Sequence, residues 1–155
     1  MIFRTRQRSG FNKPIPDLAG YIQQQLIDRP DTKIYLGIDS KVSADHCTYI
    51  LVIAFRYGSN GVHYIFSKEQ TEMPNTKWQR LMNEIERLMN FVSWFKDNLP
   101  YTIYAVDVDV NADERHFSNK LHSLAIGWGH SLGVNVITKP EEVVASRAAD
   151  WLLNH

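Results

Sequence analysis

KIYLGIDS, residues 33–40, is a short apolar run that ends in an aspartate and a serine. Such runs are typical of strands buried on both faces in the middle of a sheet. Two more apolar runs follow, at residues 48–57 and 62–67, and residues 58–61 (GSNG) supply turn chemistry between them. This pattern predicts a β-hairpin. We therefore predict that the first three strands are antiparallel neighbours.

Helix and strand patterns alternate along the rest of the chain. After Pro74, apolar residues recur every three or four positions to about Asp97, which predicts a long amphipathic helix. Beyond it we predict a strand at 102–110, a helix at 117–132, a strand at 134–138 and a last helix that Pro140 opens. Antiparallel pairing followed by βαβ alternation predicts an α/β fold, with a mixed five-stranded sheet and helices on both faces.

Length and composition indicate one domain. The chain has 155 residues, of which 44% are hydrophobic and 22% charged, as in ordinary globular proteins. Residues 1–16 form a basic arm without acidic residues, which we expect to be a solvated tail or, alternatively, a contact for phosphates. Residues 17–155 are predicted to form one domain, which starts with an accessory helix over residues 17–28.

Charge and cysteine content restrict the partners and the location. Lys and Arg number 17, and Asp and Glu also 17, so no overall field attracts nucleic acid, which a metal or a local patch would have to hold. A single cysteine, Cys47, and a start without an apolar leader predict a reduced, cytoplasmic setting. The longest apolar run, residues 49–55, is too short for a membrane helix. His46 and Cys47 lack a second ligand pair, so no zinc site is predicted.

Aspartates occur at two strand positions where chemistry could use them. Asp39 ends the first strand, where open α/β sheets bind ligands, unless it only opens a turn with Ser40. Asp107 and Asp109 share one face of a later strand, roughly 7 Å apart. Burying both beside Asp39 would be costly without a cation. A solvated strand face is the alternative explanation for this pair.

Two further acids lie in helical patterns. Glu84 falls at the edge of the apolar stripe of the long helix, from where it can reach over the sheet. Its alternative is a surface ion pair with Arg80 or Arg87. Asp150 lies in a last helix that is apolar on nearly all sides, so periodicity does not indicate which way it faces.

Six short motifs follow one another along the chain: GIDS at 37–40, RLMNE at 80–84, DVN at 109–111, SNKL at 118–121, KP at 139–140 and ASRAAD at 145–150. Together they resemble the YkuK-like family of predicted ribonuclease H-like proteins over about residues 33–153. The resemblance implies the ribonuclease H fold, in which acids from four elements meet at one end of the sheet. The matching residues are Asp39, Glu84, Asp109 and Asp150, with Asp107 as an extra ligand or a group behind the ligands.

The resemblance implies a metal-dependent nuclease. The four acids would hold two Mg²⁺ or Mn²⁺ ions about 4 Å apart, with Asp39 bridging them, Glu84 and Asp109 on one flank and Asp150 on the other. Lys139 and Ser40 are the candidate substrate-binding residues, and nucleic acid is the expected partner. Unlike characterised ribonucleases H, the link at 138–140 has no histidine and the chain has no basic insertion, so hybrid specificity is not implied. The alternative is a catalytically silent module of this fold that binds nucleic acid or a protein.

Overall fold

A computed structural model describes residues 1–6, 12–58, 61–111, 118–139 and 145–154. Its strands are β1 (Phe3–Arg6), β2 (Asn12–Ile15), β3 (Thr32–Val42), β4 (His46–Tyr57), β5 (Val62–Glu72), β6 (Ala105–Asn111) and β7 (Val136–Lys139). Its helices are α1 (Leu18–Asp28), α2 (Lys77–Asn98), α3 (Asn119–Ser131) and α4 (Ala145–Asn154). The strands form one sheet in the order β2-β1-β5-β4-β3-β6-β7.

The sheet is antiparallel on one side of β3 and parallel on the other. Strands β3, β4 and β5 form an antiparallel meander, and β4 and β5 are joined through Gly58, whose φ of 54° suits a glycine. Strands β6 and β7 add to β3 in parallel. Both the antiparallel pairing of the first three predicted strands and the βαβ alternation after them are confirmed.

The predicted count of five strands is wrong, because the N-terminal arm contributes two more. Strand β1 pairs with the outer edge of β5, with Arg4 opposite Phe66, and β2 pairs with β1. The expectation of a solvated tail fails here too, because Phe3 is buried and its ring lies 5.3 Å from that of Phe91. An unpaired strand edge offers backbone hydrogen bonds to any segment able to extend, even one without an apolar alternation.

Helices cover both faces of the sheet, as predicted. One core lies beneath α1, α2 and α3 and includes Ile22, Leu88 and Leu121. The other lies beneath α4 and includes Ala149 and Leu152. The predicted start of the last helix, Pro140, lies outside the described residues. Within those residues no helix combines the length and the apolarity needed to cross a bilayer.

Candidate active site

Two of the candidate aspartates lie where β3 and β6 part. The two strands pair from Tyr35 and Ala105 to Gly37 and Asp107, and no further. Asp39 and Asp109 each come two residues after that last pair, and both are partly buried. In α/β sheets, ligands bind at the ends of parallel strands whose connections diverge. The register therefore places these two acids at equivalent positions, one on each of the two strands, just beyond the point where the strands separate.

Asp39 does not open a turn, because β3 continues beyond it to Val42 and stays paired with β4. Its Oδ1 accepts the backbone N–H of Ser40 at 2.8 Å. Side chains alternate along a strand, so Ser40 projects to the opposite face, the one that α2 covers. The end of β3 thus presents an acid to one face and a hydroxyl to the other.

Glu84 meets that hydroxyl from α2. Its side chain is 5% exposed, and its Oε1 accepts a hydrogen bond from the Ser40 hydroxyl. The predicted alternative of a surface ion pair does not hold for Arg87, which pairs with Glu69 at 3.0 Å instead. Glu84, although it lies at the edge of the apolar stripe of α2, therefore faces the sheet, because the end of β3 packs against this turn of the helix.

Glu84 is affected by the charges of both aspartates. The pKa of Glu84 is raised from 4.5 to about 8, first by burial and then by the negative charges of Asp39 and Asp109. The hydrogen bond from Ser40 and the charge of Arg80 act in the opposite direction. A carboxyl with this pKa is largely protonated at neutral pH, whereas a neighbouring cation would favour its ionised form.

Asp107 has a different environment from Asp109, although both lie on the same face of β6. It is fully buried, and its Oδ2 accepts the backbone N–H of Ala145 at 2.6 Å. Ala145 is the first residue of α4, so Asp107 caps the positive end of that helix. The alternative of a solvated strand face is wrong for this residue. Strand periodicity indicated the shared face, but not that a helix begins above one of the two acids.

Arg80, for which the sequence predicts only an ion pair with Glu84, is a further neighbour of that acid. It lies one turn before Glu84, and its Nε is buried without a hydrogen-bond partner among the described residues. A cleft of about 310 Å³ opens beside it, between the end of β3 at Val42 and the start of α2, with Lys77 and Arg80 as its cations. In the sequence, only the position of Arg80 in the RLMNE motif, one helical turn before Glu84, indicates that it belongs to this site.

The donor set is chemically suited to a hard cation, because Mg²⁺ and Mn²⁺ prefer carboxylate oxygen. In the part of the chain that the structure describes, however, no three His, Cys, Asp or Glu side chains are arranged to hold a metal ion. Asp150 lies on α4 and Lys139 ends β7, but their side chains are outside the described part. Asp39 and Asp109 each interact electrostatically with Glu84, and the ligand role of Asp150 stays a prediction.

Comparison with known families gives this arrangement a context. Residues 16–152 match the profile of a family described as Ribonuclease H-like. The chain belongs to the ribonuclease H-like family. The resemblance to YkuK-like proteins is confirmed, because the YkuK family is this same family. No curated protein is significantly similar to the chain in sequence.

Among solved structures, weak similarity is found to two proteins. Endonuclease V of Ciona intestinalis, in complex with a 24mer DNA containing an inosine followed by a ribo-adenosine, is 15% identical, with a TM-score of 0.41. Human ENDOV is 16% identical, with a TM-score of 0.45. The first alignment covers 88% of this ribonuclease H-like chain and 65% of that chain, and the second covers 82% and 60%. The chain therefore spans less than two thirds of the length of these two structures.

Proposed function

We propose that this ribonuclease H-like protein is a metal-dependent nuclease that hydrolyses phosphodiester bonds of nucleic acid. One observation carries the proposal: Glu84 is buried within reach of two aspartates, at the point where β3 and β6 part. A buried acid next to two further acids is costly unless it is protonated or a cation is bound. Strongly shifted carboxyl groups of this kind are common in functional sites.

The acids Asp39, Glu84, Asp109 and Asp150 are proposed to hold Mg²⁺ or Mn²⁺, two ions in the ribonuclease H manner. Bound divalent cations supply an activated water and stabilise the leaving oxygen at phosphorus. Glu84 would lose its proton on loading and keep its orientation through the hydroxyl of Ser40. Ser40 therefore acts as a positioning residue in this proposal, rather than as the substrate contact that the sequence suggested.

Asp107 contributes through α4 in this proposal. Its carboxylate fixes the first turn of α4 above β6, and the same helix carries Asp150. The predicted role of Asp107 as an extra ligand gives way to that of a support for the fourth acid. Lys77 and Arg80 in the adjacent cleft, together with the predicted contact Lys139, would attract a phosphate group.

The test is cleavage of labelled single-stranded and duplex DNA and RNA with Mn²⁺. Asp39→Asn and Glu84→Gln are each expected to abolish cleavage, because each removes an ionisable oxygen donor. Glu86→Gln is the matched control for the second variant, since it changes an exposed glutamate on the same helix and is expected to leave cleavage unchanged. Full activity in the Asp39→Asn protein would rule out the proposed site.

Metal binding can be measured without a substrate. Calorimetry is expected to detect Mn²⁺ binding to the wild type, accompanied by proton release as Glu84 ionises, and to detect none with Asp109→Asn. Equal binding by both proteins would place the metal elsewhere.

A catalytically silent binding module is the second candidate. The observation that favours it is that the described acids do not form a three-ligand group. Such a module is expected to retain nucleic acid or a protein in the presence of a chelator, and to release no product with either metal. Turnover that depends on Mg²⁺ or Mn²⁺ would exclude it.

A further inference from the structure

Several cations lie on the sheet face that α4 partly covers. Arg4 is opposite Phe66, which belongs to the core beneath α4, and Arg6 follows two residues later on the same face. Lys68 comes two residues after Phe66, and Lys41 two residues after Asp39. We call Arg4, Arg6, Lys41 and Lys68 the basic face.

Contacts with α4 confirm this placement for three of the four cations. The guanidinium of Arg6 lies 4.7 Å from the centroid of the Trp151 ring. Lys68 Nζ donates to the carbonyl oxygen of Leu152 at 3.2 Å, and Lys41 Nζ donates to Asn154 Oδ1 at 3.0 Å. The basic face therefore surrounds the C-terminal end of α4, where Trp151 is 49% exposed.

No described acid forms an ion pair with these cations, although Asp39 and Glu72 lie on the same face. The ion pairs among the described residues join His46 to Asp45 and Arg87 to Glu69, and neither involves the basic face. Burial lowers the pKa of Lys68, and the nearby charge of Arg6 lowers it further. Like charges held close together attract anions. Although the whole chain is neutral, four cations are grouped on this part of the sheet, and Arg6 and Lys68 are close enough to interact.

The basic face and the candidate acid Asp39 lie on the same face of the sheet, with the buried Ile50 between Lys68 and Asp39 beneath α4. Lys68 is opposite Ile50 on β4, and Ile50 is opposite Asp39 on β3. Two strand spacings, about 10 Å, therefore separate the backbones of Lys68 and Asp39 along one row of the sheet. A nucleic-acid strand that contacts Lys68 would therefore pass around the C-terminal end of α4 to reach the acid end of β3.

We infer that the basic face binds the phosphate backbone of single-stranded nucleic acid and leads it to the acids at the end of β3. The inference rests on the proposed function for its substrate class. Helix α4 stands about 10 Å above the strands, so a rigid duplex cannot lie flat there, whereas a single strand can bend around it. The half-exposed ring of Trp151 lies beside Arg6, where an aromatic group can add a base contact to a phosphate contact.

The test is fluorescence anisotropy with labelled oligothymidine of about 20 nucleotides, in EDTA, at several salt concentrations. The triple variant Arg4→Gln, Arg6→Gln, Lys68→Gln is expected to bind at least about 10-fold more weakly. Its salt slope should fall by about 2, since each phosphate contact on a single strand contributes about 0.7. The matched control is Lys33→Gln with Arg56→Gln, two exposed cations opposite each other at the far end of the same face. The control pair is expected to bind as the wild type does.

Arg6 and Lys68 also contact α4, so the triple variant is checked by circular dichroism. The single variant Arg4→Gln leaves those contacts in place and is expected to lower the slope by about 0.7. Unchanged affinity in a folded triple variant, equal loss in the control pair, or no binding by the wild type would overturn the inference. If the wild type binds through these residues but never cleaves, the nuclease proposal fails and the inference stands. If it cleaves while all variants bind equally, the inference alone fails.

Discussion

The antiparallel and parallel halves of the sheet differ in how far their strands stay together. Strands β3 and β4 are paired over their whole shared length, from Thr32 to Val42. Strands β3 and β6 separate after Gly37. The first half buries an unbroken apolar run on β4, whereas the second places Asp107 and Asp109 beside the separation. The continuous pairing of β3 with β4 thus stabilises the fold, whereas the end of the pairing between β3 and β6 leaves room for the polar side chains of the candidate site.

The largest expected effect is in the antiparallel half. Phe55 is fully buried on β4, and its ring stacks on His63 at 5.8 Å. Phe55→Ala is expected to lower the free energy of unfolding by about 3–5 kcal/mol, through lost burial and the cavity left behind. Urea unfolding measures the change, with Val62→Ala as an exposed control expected to stay within about 0.5 kcal/mol. A loss below about 1 kcal/mol for Phe55→Ala would contradict the view that the buried apolar run of β4 stabilises the fold.

The pH dependence of stability measures the free energy required to ionise Glu84 in the folded protein. The pKa of Glu84 is about 8 in the folded protein and near 4.5 when exposed, so the folded state binds the extra proton between these values. Its contribution to stability is therefore complete below about pH 4.5 and is lost as the pH rises towards 8. Between about pH 5 and 7.5 in EDTA, wild-type stability should fall by about 3 kcal/mol relative to Glu84→Gln.

Denaturant unfolding of both proteins at each pH measures this difference. Glu86→Gln serves as the control, because an exposed carboxyl is expected to track the wild type across the same range. Parallel stability curves for the wild type and Glu84→Gln would mean that Glu84 is ionised in the folded, metal-free protein.

A smaller effect is expected to separate the two aspartates of β6. Asp107→Asn weakens the charged cap of α4, so the free energy of unfolding should fall by about 1–2 kcal/mol. Asp109→Asn removes a charge that raises the pKa of Glu84, and should change stability by less than about 1 kcal/mol while cleavage is lost. Thermal and urea unfolding measure the stability of both variants, and the nuclease assay measures their activity. Equal loss of stability in the two variants would contradict the different roles given to Asp107 and Asp109.

Much of the antiparallel half could be predicted from the sequence, because its signals are local. Apolar runs and a glycine-containing turn are sufficient for β3, β4 and β5. Strands β1 and β2 were missed, since Arg4, Thr5 and Arg6 have no strand-like alternation. They form strands because the edge of β5 is available for pairing and because the ring of Phe3 packs against that of Phe91, which is distant in sequence.

The sequence predicts the members of the candidate site, and their roles stay predictions, but it does not predict their contacts. Asp39 followed from the end of an apolar run, and Asp109 from the strand period together with the family resemblance. The hydrogen bond between Ser40 and Glu84 depends on where α2 crosses the end of β3, which no local pattern specifies. The cap that Asp107 provides likewise depends on the position of α4, which follows from packing rather than periodicity.

The pairing of β1 with β5 affects the order of events during synthesis. Strand β1 leaves the ribosome before its partner near Phe66, which follows about 60 residues later, whereas the β3–β4–β5 meander can close locally. The meander is therefore expected to form before β1 docks, which leaves β5 as an open edge for a time. Nascent chains with such an edge can pair with one another. In this protein β1 is made before the meander but is expected to dock after it, so loss of β1 would leave the edge of β5 open to pairing between chains.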